Sequence, residues 1–273
     1  MRHERFDTPG PLRLDLSVPA GEIDVRTQEG AAETTVDLEP LRGNDASREA
    51  IESARIQLRG RGDGHELVVD VPGSRGLGGI FSRGSEVRLV VLCPAGAELE
   101  AQGGSADIRA AGRYGSVEAR AGSGDVEVAE VDGAAIVKTG SGDVALDRVE
   151  GELSAQTGSG DIAVGRAGGR ATVRSASELT VQTASGDVSV KAVSAGEVSI
   201  QSASGDVSVG VRPGRRLWVD ASSTSGETTS DFDVGDEPAP GEGEEDGPLV
   251  ELRIATMSGD VHVARAAAAD LQQ

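Results

Sequence analysis

The chain has 273 residues, 37% apolar but only 2% aromatic, with 39 glycines and a net charge of −20. That acidity excludes an electrostatically driven binder of nucleic acid or anionic membrane, because both surfaces are repelled at long range. Small apolar side chains fill only a thin core at normal packing density, which points to a slender repetitive β structure rather than a wide globule.

The first residues, MRHERFDTPG, have no apolar core and do not read as a secretory signal, so a soluble, cytoplasmic protein is expected. From Leu12 to Val71 the segments LRLDLSV, EIDVRT, TTVDLEP, ARIQLRG and HELVVDVP read as strands. Between them, Asn44 to Ala54 reads as a short helix capped by Asn or Asp. Residues 1–100 are accordingly expected to form an N-terminal antiparallel β cap over the end of a stack. Within the cap, SRGLGGIFSRGS reads as a loop with an apolar tip, Ile80 and Phe81. These two are candidate partner contacts, set against a loop folded back on the core. The glycines Gly76 to Gly79 lack the lysine and helix pattern of a phosphate loop. The apolar run Leu89 to Cys93 is far too short to span a bilayer. Cys93 is the single cysteine, so no internal disulfide forms. With no histidine near it in sequence, it reads as a buried structural thiol.

Residues 101–230 carry a repeat. A Ser-Gly-Asp turn or a variant of it recurs with its acid at Asp107, Asp125, Asp143, Asp161, Asp187, Asp206, Glu227 and Asp260. The steps are 18, 18, 18, 26, 19, 21 and 33, the mark of stacked repeats. A half-step about nine residues on, as at Ser116, Ala134 and Glu152, divides each unit into two short strands and two turns. After the acid, apolar residues alternate: Val126 and Val128, Val144 and Leu146, Ile162 and Val164, Val188 and Val190, Val207 and Val209. The second strand of each unit gives Val117 and Ala119, Ala135 and Val137, Leu153 and Ala155, Ala171 and Val173. One unit buries about half a dozen such side chains at roughly 1.5–3 kcal/mol each. Ordering its backbone costs ~1–2 kcal/mol per residue, so single units are unstable and must stack. Gly142, Gly160, Gly186 and Gly205 suit positive φ, and Ser and Asp suit bonds to nearby amides of their own tight turn. Trp218 reads as a strand residue covering the far end of the stack. Residues 231–248, acidic and rich in Pro and Gly, are expected to be a disordered loop. A final strand pair follows at 249–265, then a tail at 266–273.

If the units stack about 4.8 Å apart, the acids form a ladder of like charge, with neighbours repelling by roughly 0.9 kcal/mol in water. Asp107, Asp125, Asp143, Asp161, Asp187 and Asp206 are therefore a candidate calcium ladder. The opposing reading is that each carboxylate accepts backbone amides in its own turn. Calcium-binding nonapeptides repeat their acid every nine residues, whereas here glycine abuts the acid and the recurrence is mainly eighteen. His3, His65 and His262 show no metal-ligand spacing. With aromatics nearly absent and no acid/base pair, a carbohydrate-active enzyme is disfavoured. No catalytic residue and no cofactor is expected.

The stretches FDTPGPLRLDLSVPAGEIDV and EVRLVVLCPAGAELEAQGGSADI, the GSGDV units and the closing MSGDVHVAR together resemble the Toastrack domain, a family with β-strand repeats also labelled a "putative adhesin". The resemblance covers nearly the whole chain. It implies an all-β, solenoid-like stack of short strands. It also implies membership of a group often attached to, or encoded near, bacterial envelope-stress membrane proteins and thought to act in assembly or ligand sensing. The expected function is a non-enzymatic scaffold or interaction protein with a protein partner, with self-assembly at the sheet ends left open. The alternative is a module binding a divalent cation or small ligand through its Ser-Gly-Asp turns.

Overall fold

The computed structural model describes residues 1–73, 84–174, 179–183, 187–193, 196–232 and 249–266. It divides into two units, residues 1–142 and 143–273. Strand is the dominant structure of the described residues, with one helix among them, so the all-β, solenoid-like expectation holds. Ile80 and Phe81, and residues 233–248, lie outside the described residues.

In the first unit the strands are β1 (Arg2–Asp7), β2 (Leu12–Gln28) and β3 (Glu33–Pro40). After helix α1 (Asp45–Ser53) come β4 (Arg55–Arg61), β5 (Gly64–Asp70), β6 (Val87–Pro94), β7 (Glu98–Tyr114), β8 (Ser116–Ala121), β9 (Val126–Val131) and β10 (Ala135–Thr139). Asn44 caps α1 as expected, its Oδ1 accepting from the Ser47 amide at 2.8 Å. Antiparallel pairing occurs where the cap was expected: β1 with β3, β3 with β6, and β4 with β5. Parallel stacking nevertheless begins well before residue 101. The 17-residue strands β2 and β7 run side by side in parallel, from Arg13 opposite Glu98 to Arg26 opposite Ala111. Each joins two ladders. The first half of β2 pairs with β5 and the second with β6; β7 divides likewise between β8 and β9. Where β2 passes from one ladder to the other, Gly21 has φ 125°, and a Cβ there would sit 2.1 Å from the Val87 carbonyl oxygen. The bend therefore requires a residue without a side chain.

The second unit holds β11 (Val144–Val149), β12 (Leu153–Thr157), β13 (Ile162–Ala167), β14 (Ala171–Arg174), β15 (Leu179–Thr183), β16 (Val188–Val193), β17 (Gly196–Ser202) and β18 (Val207–Val211). After these come β19 (Arg216–Ser225), β20 (Thr228–Ser230), β21 (Leu249–Ser258) and β22 (Val261–Arg265). Successive strands alternate between two parallel ladders. One runs β11, β13, β15, β17; the other runs β12, β14, β16, β18. Every strand pair predicted from the repeat is present. The inward residues named from the alternation are at most 2% exposed, so the thin aliphatic core is dry.

The end of this unit departs from chain order. β17 pairs with β21, and β21 pairs with β19; β18 pairs with β22, and β22 pairs with β20. The β21–β22 rung thus lies between the β17–β18 rung and the β19–β20 rung that precedes it in sequence. Apolar content explains the order. At matching inward positions β21 presents Val250, Leu252 and Ile254, whereas β19 presents Leu217, Val219 and Ala221. β22 presents Val261 and Val263 opposite Thr228 and Ser230 of β20. The three extra carbons of β21 alone favour it for the buried place by roughly 2 kcal/mol. The hydroxyl-rich β20 is exposed throughout, as a terminal repeat should be. Trp218 lies on this outermost rung but points away from the core. It is 46% exposed, with the Arg253 guanidinium 5.6 Å from its ring centroid, so it does not cover the end of the stack.

Candidate functional site

The Ser-Gly-Asp corners were the strongest site signal, and their geometry is regular. In the first unit the Asp107 carboxylate accepts from the backbone amide of Asp125 at 3.0 Å. In the second unit Asp143 accepts from the Asp161 amide at 2.9 Å, and Asp187 from the Asp206 amide at 3.2 Å. Across the inserted rung, Asp206 accepts from Asp260 at 2.9 Å and Asp260 from Glu227 at 2.8 Å. Each of these five carboxylates therefore reaches the next rung's corner amide.

The acids of the second unit also do not form one row. Asp143 and Asp161 precede strands of the β11 ladder, whereas Asp187, Asp206 and Asp260 precede strands of the β12 ladder. The 26-residue step is a rung and a half, and it moves the signature to the opposite corner. Arg170 occupies the position below Asp187, its Nη2 3.5 Å from the Asp187 carboxylate. Among the described residues no three His, Cys, Asp or Glu side chains gather in a metal-holding group.

The hydroxyl residues Thr139, Thr157, Thr183, Ser202 and Thr256 before the corners are buried. Thr139 Oγ1 donates to the Gly124 carbonyl of the preceding corner at 3.1 Å and accepts from the Gly142 amide at 3.1 Å. Thr157 accepts from the Gly160 amide at 3.0 Å, and Thr183 donates to the Ala167 carbonyl at 2.7 Å. Thr139 and Thr183 thus bind rung to rung, while Thr139 and Thr157 also brace their own corners.

Two concave surfaces lie on outward sheet faces of the first unit. A cavity of about 130 Å³ is lined by Arg13, Glu98, Glu100, Ser116, Glu118 and Ile136. Arg13 donates to Glu100 at 2.6 Å and lies near Glu66 and Glu98. Burial, then the charges of Glu100 and Glu66, push the neighbouring Asp15 carboxyl up. This cavity is smaller than drug-sized ligand sites. The second is an open groove of about 450 Å³ lined by Glu22, Asp24, Arg26, Asp37, Arg88 and Arg109. Two ion pairs line it, Arg88 with Glu22 at 2.7 Å and Arg26 with Asp24 at 2.6 Å, and His3 Nδ1 is hydrogen-bonded to the Asp37 carboxylate at 2.6 Å. It presents an alternating charged surface.

Cys93 is fully buried, and burial pushes its thiol up to about 12, which makes it a poor nucleophile. Tyr114, unremarkable in sequence, is also fully buried. Its hydroxyl donates to the Val25 carbonyl at 2.8 Å, pinning the end of β7 to β2. No local pattern announces that partner, which lies 89 residues away.

The model of the Toastrack DUF4097 family matches residues 14–264. The chain belongs to the Toastrack family. Among solved structures, this Toastrack chain is similar to a "putative adhesin" of Parabacteroides distasonis ATCC 8503, over 96% of each chain, at 11% identity and a TM-score of 0.37. It is similar to a "putative lipid binding protein" of the same organism over 96% of each chain, at 16% identity and a TM-score of 0.36. A "putative cell adhesion protein" of Clostridium sporogenes ATCC 15579 matches over 97% of this chain and 99% of that one, at 11% identity and a TM-score of 0.27. No curated protein matches the chain. Among the described residues of this Toastrack chain, no helix is long and apolar enough to cross a membrane.

Proposed function

We propose that this chain is a non-enzymatic scaffold that offers its outward sheet faces to a protein partner. The observation that carries this reading is the destination of the repeated polar groups. The corner carboxylates and hydroxyls hold successive rungs together, so the repeat is accounted for by architecture. What remains for recognition are broad faces such as the charged groove around Glu22, Asp24 and Arg88. Paired surface charges of this kind favour selectivity and rate of encounter over tight small-molecule binding. The Toastrack resemblance adds bacterial envelope-stress proteins as the first partners to try.

The test has two arms. Thermal unfolding is compared in excess EDTA, in millimolar Ca²⁺ and in a matched Mg²⁺ control. A site at a hundred times its dissociation constant adds about 2.7 kcal/mol, a shift of several degrees, and we expect the curves to overlay. A rise with calcium alone would replace the scaffold with the cation-binding module. In the second arm, envelope-stress proteins are assayed against the wild type and a Glu22→Gln, Asp24→Asn double variant. We expect a partner that loses affinity for the variant; equal binding to both would remove this groove from the proposal.

A further inference from the structure

We propose that the β21–β22 rung is exchangeable, and that a second copy of this chain is its alternative acceptor. This goes beyond the scaffold reading and does not depend on it. Three observations carry it. The rung is inserted between two others rather than added at an end, paired in parallel on both sides by β17 and β19 and by β18 and β22's other neighbour, β20. Its inward side chains Val250, Leu252, Ile254, Val261 and Val263 are at most 2% exposed, so an empty place would bare a dry core and four strand edges. Its corner, Ser258-Gly259-Asp260, continues the carboxylate-to-amide chain on both sides, from Asp206 and to Glu227.

A rung from another copy makes every one of these contacts unchanged, which is why exchange of identical elements is a low-cost route to dimers. Eighteen residues separate Ser230 from Leu249, and a chain of that length reaches at most about 60 Å. The chain's own rung is covalently attached whereas a foreign one is not, so a foreign rung competes better as chain concentration rises. Exchange is therefore expected when chains fold together at high concentration, and it is retained once the rung is enclosed.

Parallel register makes the exchange readable. Gln201 of β17 lies opposite Ala255 of β21, both outward and exposed. Full-length Gln201→Cys and Ala255→Cys chains are mixed, unfolded, refolded together and oxidised, then separated without reductant. We expect a covalent 201–255 dimer well above the level given by either variant alone, rising several-fold as the refolding concentration rises. The Gln201→Cys, Ala255→Cys double variant reports whether the pair bridges at all. Internal bridging in the double variant, with no excess dimer in the mixture, overturns the proposal. The Ser208→Cys and His262→Cys pair reads the same place from β18 and β22 and decides the matter if the first pair fails to bridge.

Discussion

Replacing Thr139 by Val is the most direct test of the corner chemistry. The two side chains have nearly the same shape, so packing changes little. What is lost is one hydroxyl that donates to the Gly124 carbonyl and accepts from the Gly142 amide, both at 3.1 Å, in a residue 6% exposed. Leaving a buried polar group without its partner costs about 1–3 kcal/mol. With two groups affected, a loss of about 3 kcal/mol is expected. For a unit of this size each kcal/mol moves the midpoint by about 2–4 °C, so the melting temperature should fall by roughly 6–12 °C. Thr139→Ser keeps both bonds and loses one methyl, worth about 1 kcal/mol. The two variants are compared by far-UV circular dichroism in urea and on heating. A Thr139→Val chain within about 0.5 kcal/mol of wild type, or a Ser variant less stable than the Val variant, would refute the reasoning.

Gly124→Ala should be more damaging than a typical surface change, because its Cβ would stand 2.0 Å from the Ala106 carbonyl oxygen, a backbone atom of the rung below. We expect a loss of at least about 2 kcal/mol by the same denaturation assay, and a near-silent variant would show that the rungs can spread. The buried Cys93 thiol holds its proton up to about 12 in the folded chain, while the unfolded thiol ionises near ~8.5. Its contribution is therefore complete at neutral pH and is lost as pH rises through that window, by about 1.4 kcal/mol per pH unit. Tyr114, raised by burial first, acts in the same direction at still higher pH. Melting temperatures taken from about pH 8 to about pH 10 should fall more steeply for wild type than for Cys93→Ala, and parallel slopes would remove the thiol from the account.

The central repeat was legible because two periods coincide in it. Valines two apart mark one buried face, and acids eighteen apart mark the rung, so strands such as β9, β11 and β13 could be placed residue by residue. The earliest rungs were not legible. β2 and β7 form theirs as single 17-residue strands, β7 running unbroken through the turn variant at Asp107, and only their long-range register reveals the parallel pairing. The 26-residue step was visible as an irregularity. Its meaning, a move of the acid from one corner to the other, depends on which ladder receives Val188, and that is a tertiary fact. The carboxylate bonds to the next rung went unforeseen for a related reason. Local turn chemistry points to bonds within the turn, whereas the amide of the next rung comes within reach only through stacking. The reversed order of the last rungs had no local sign, since Ser225-Gly226-Glu227 and Ser258-Gly259-Asp260 both carry the corner motif. Only the comparison of Val261 and Val263 with Thr228 and Ser230 separates an interior rung from a terminal one.

That reversed order also sets a constraint on synthesis. A ribosome releases β19 and β20 before it has made β21 and β22, yet the later pair belongs beneath the earlier one. The nascent chain cannot complete this unit by adding rungs in the order they emerge. Either β19–β20 waits unseated, or it settles on β17–β18 and is later displaced. In the first case a product interrupted before Arg265 carries an open hydrophobic seam that chaperones and proteases can recognise; in the second it carries a poorer, hydroxyl-rich rung over the same edge.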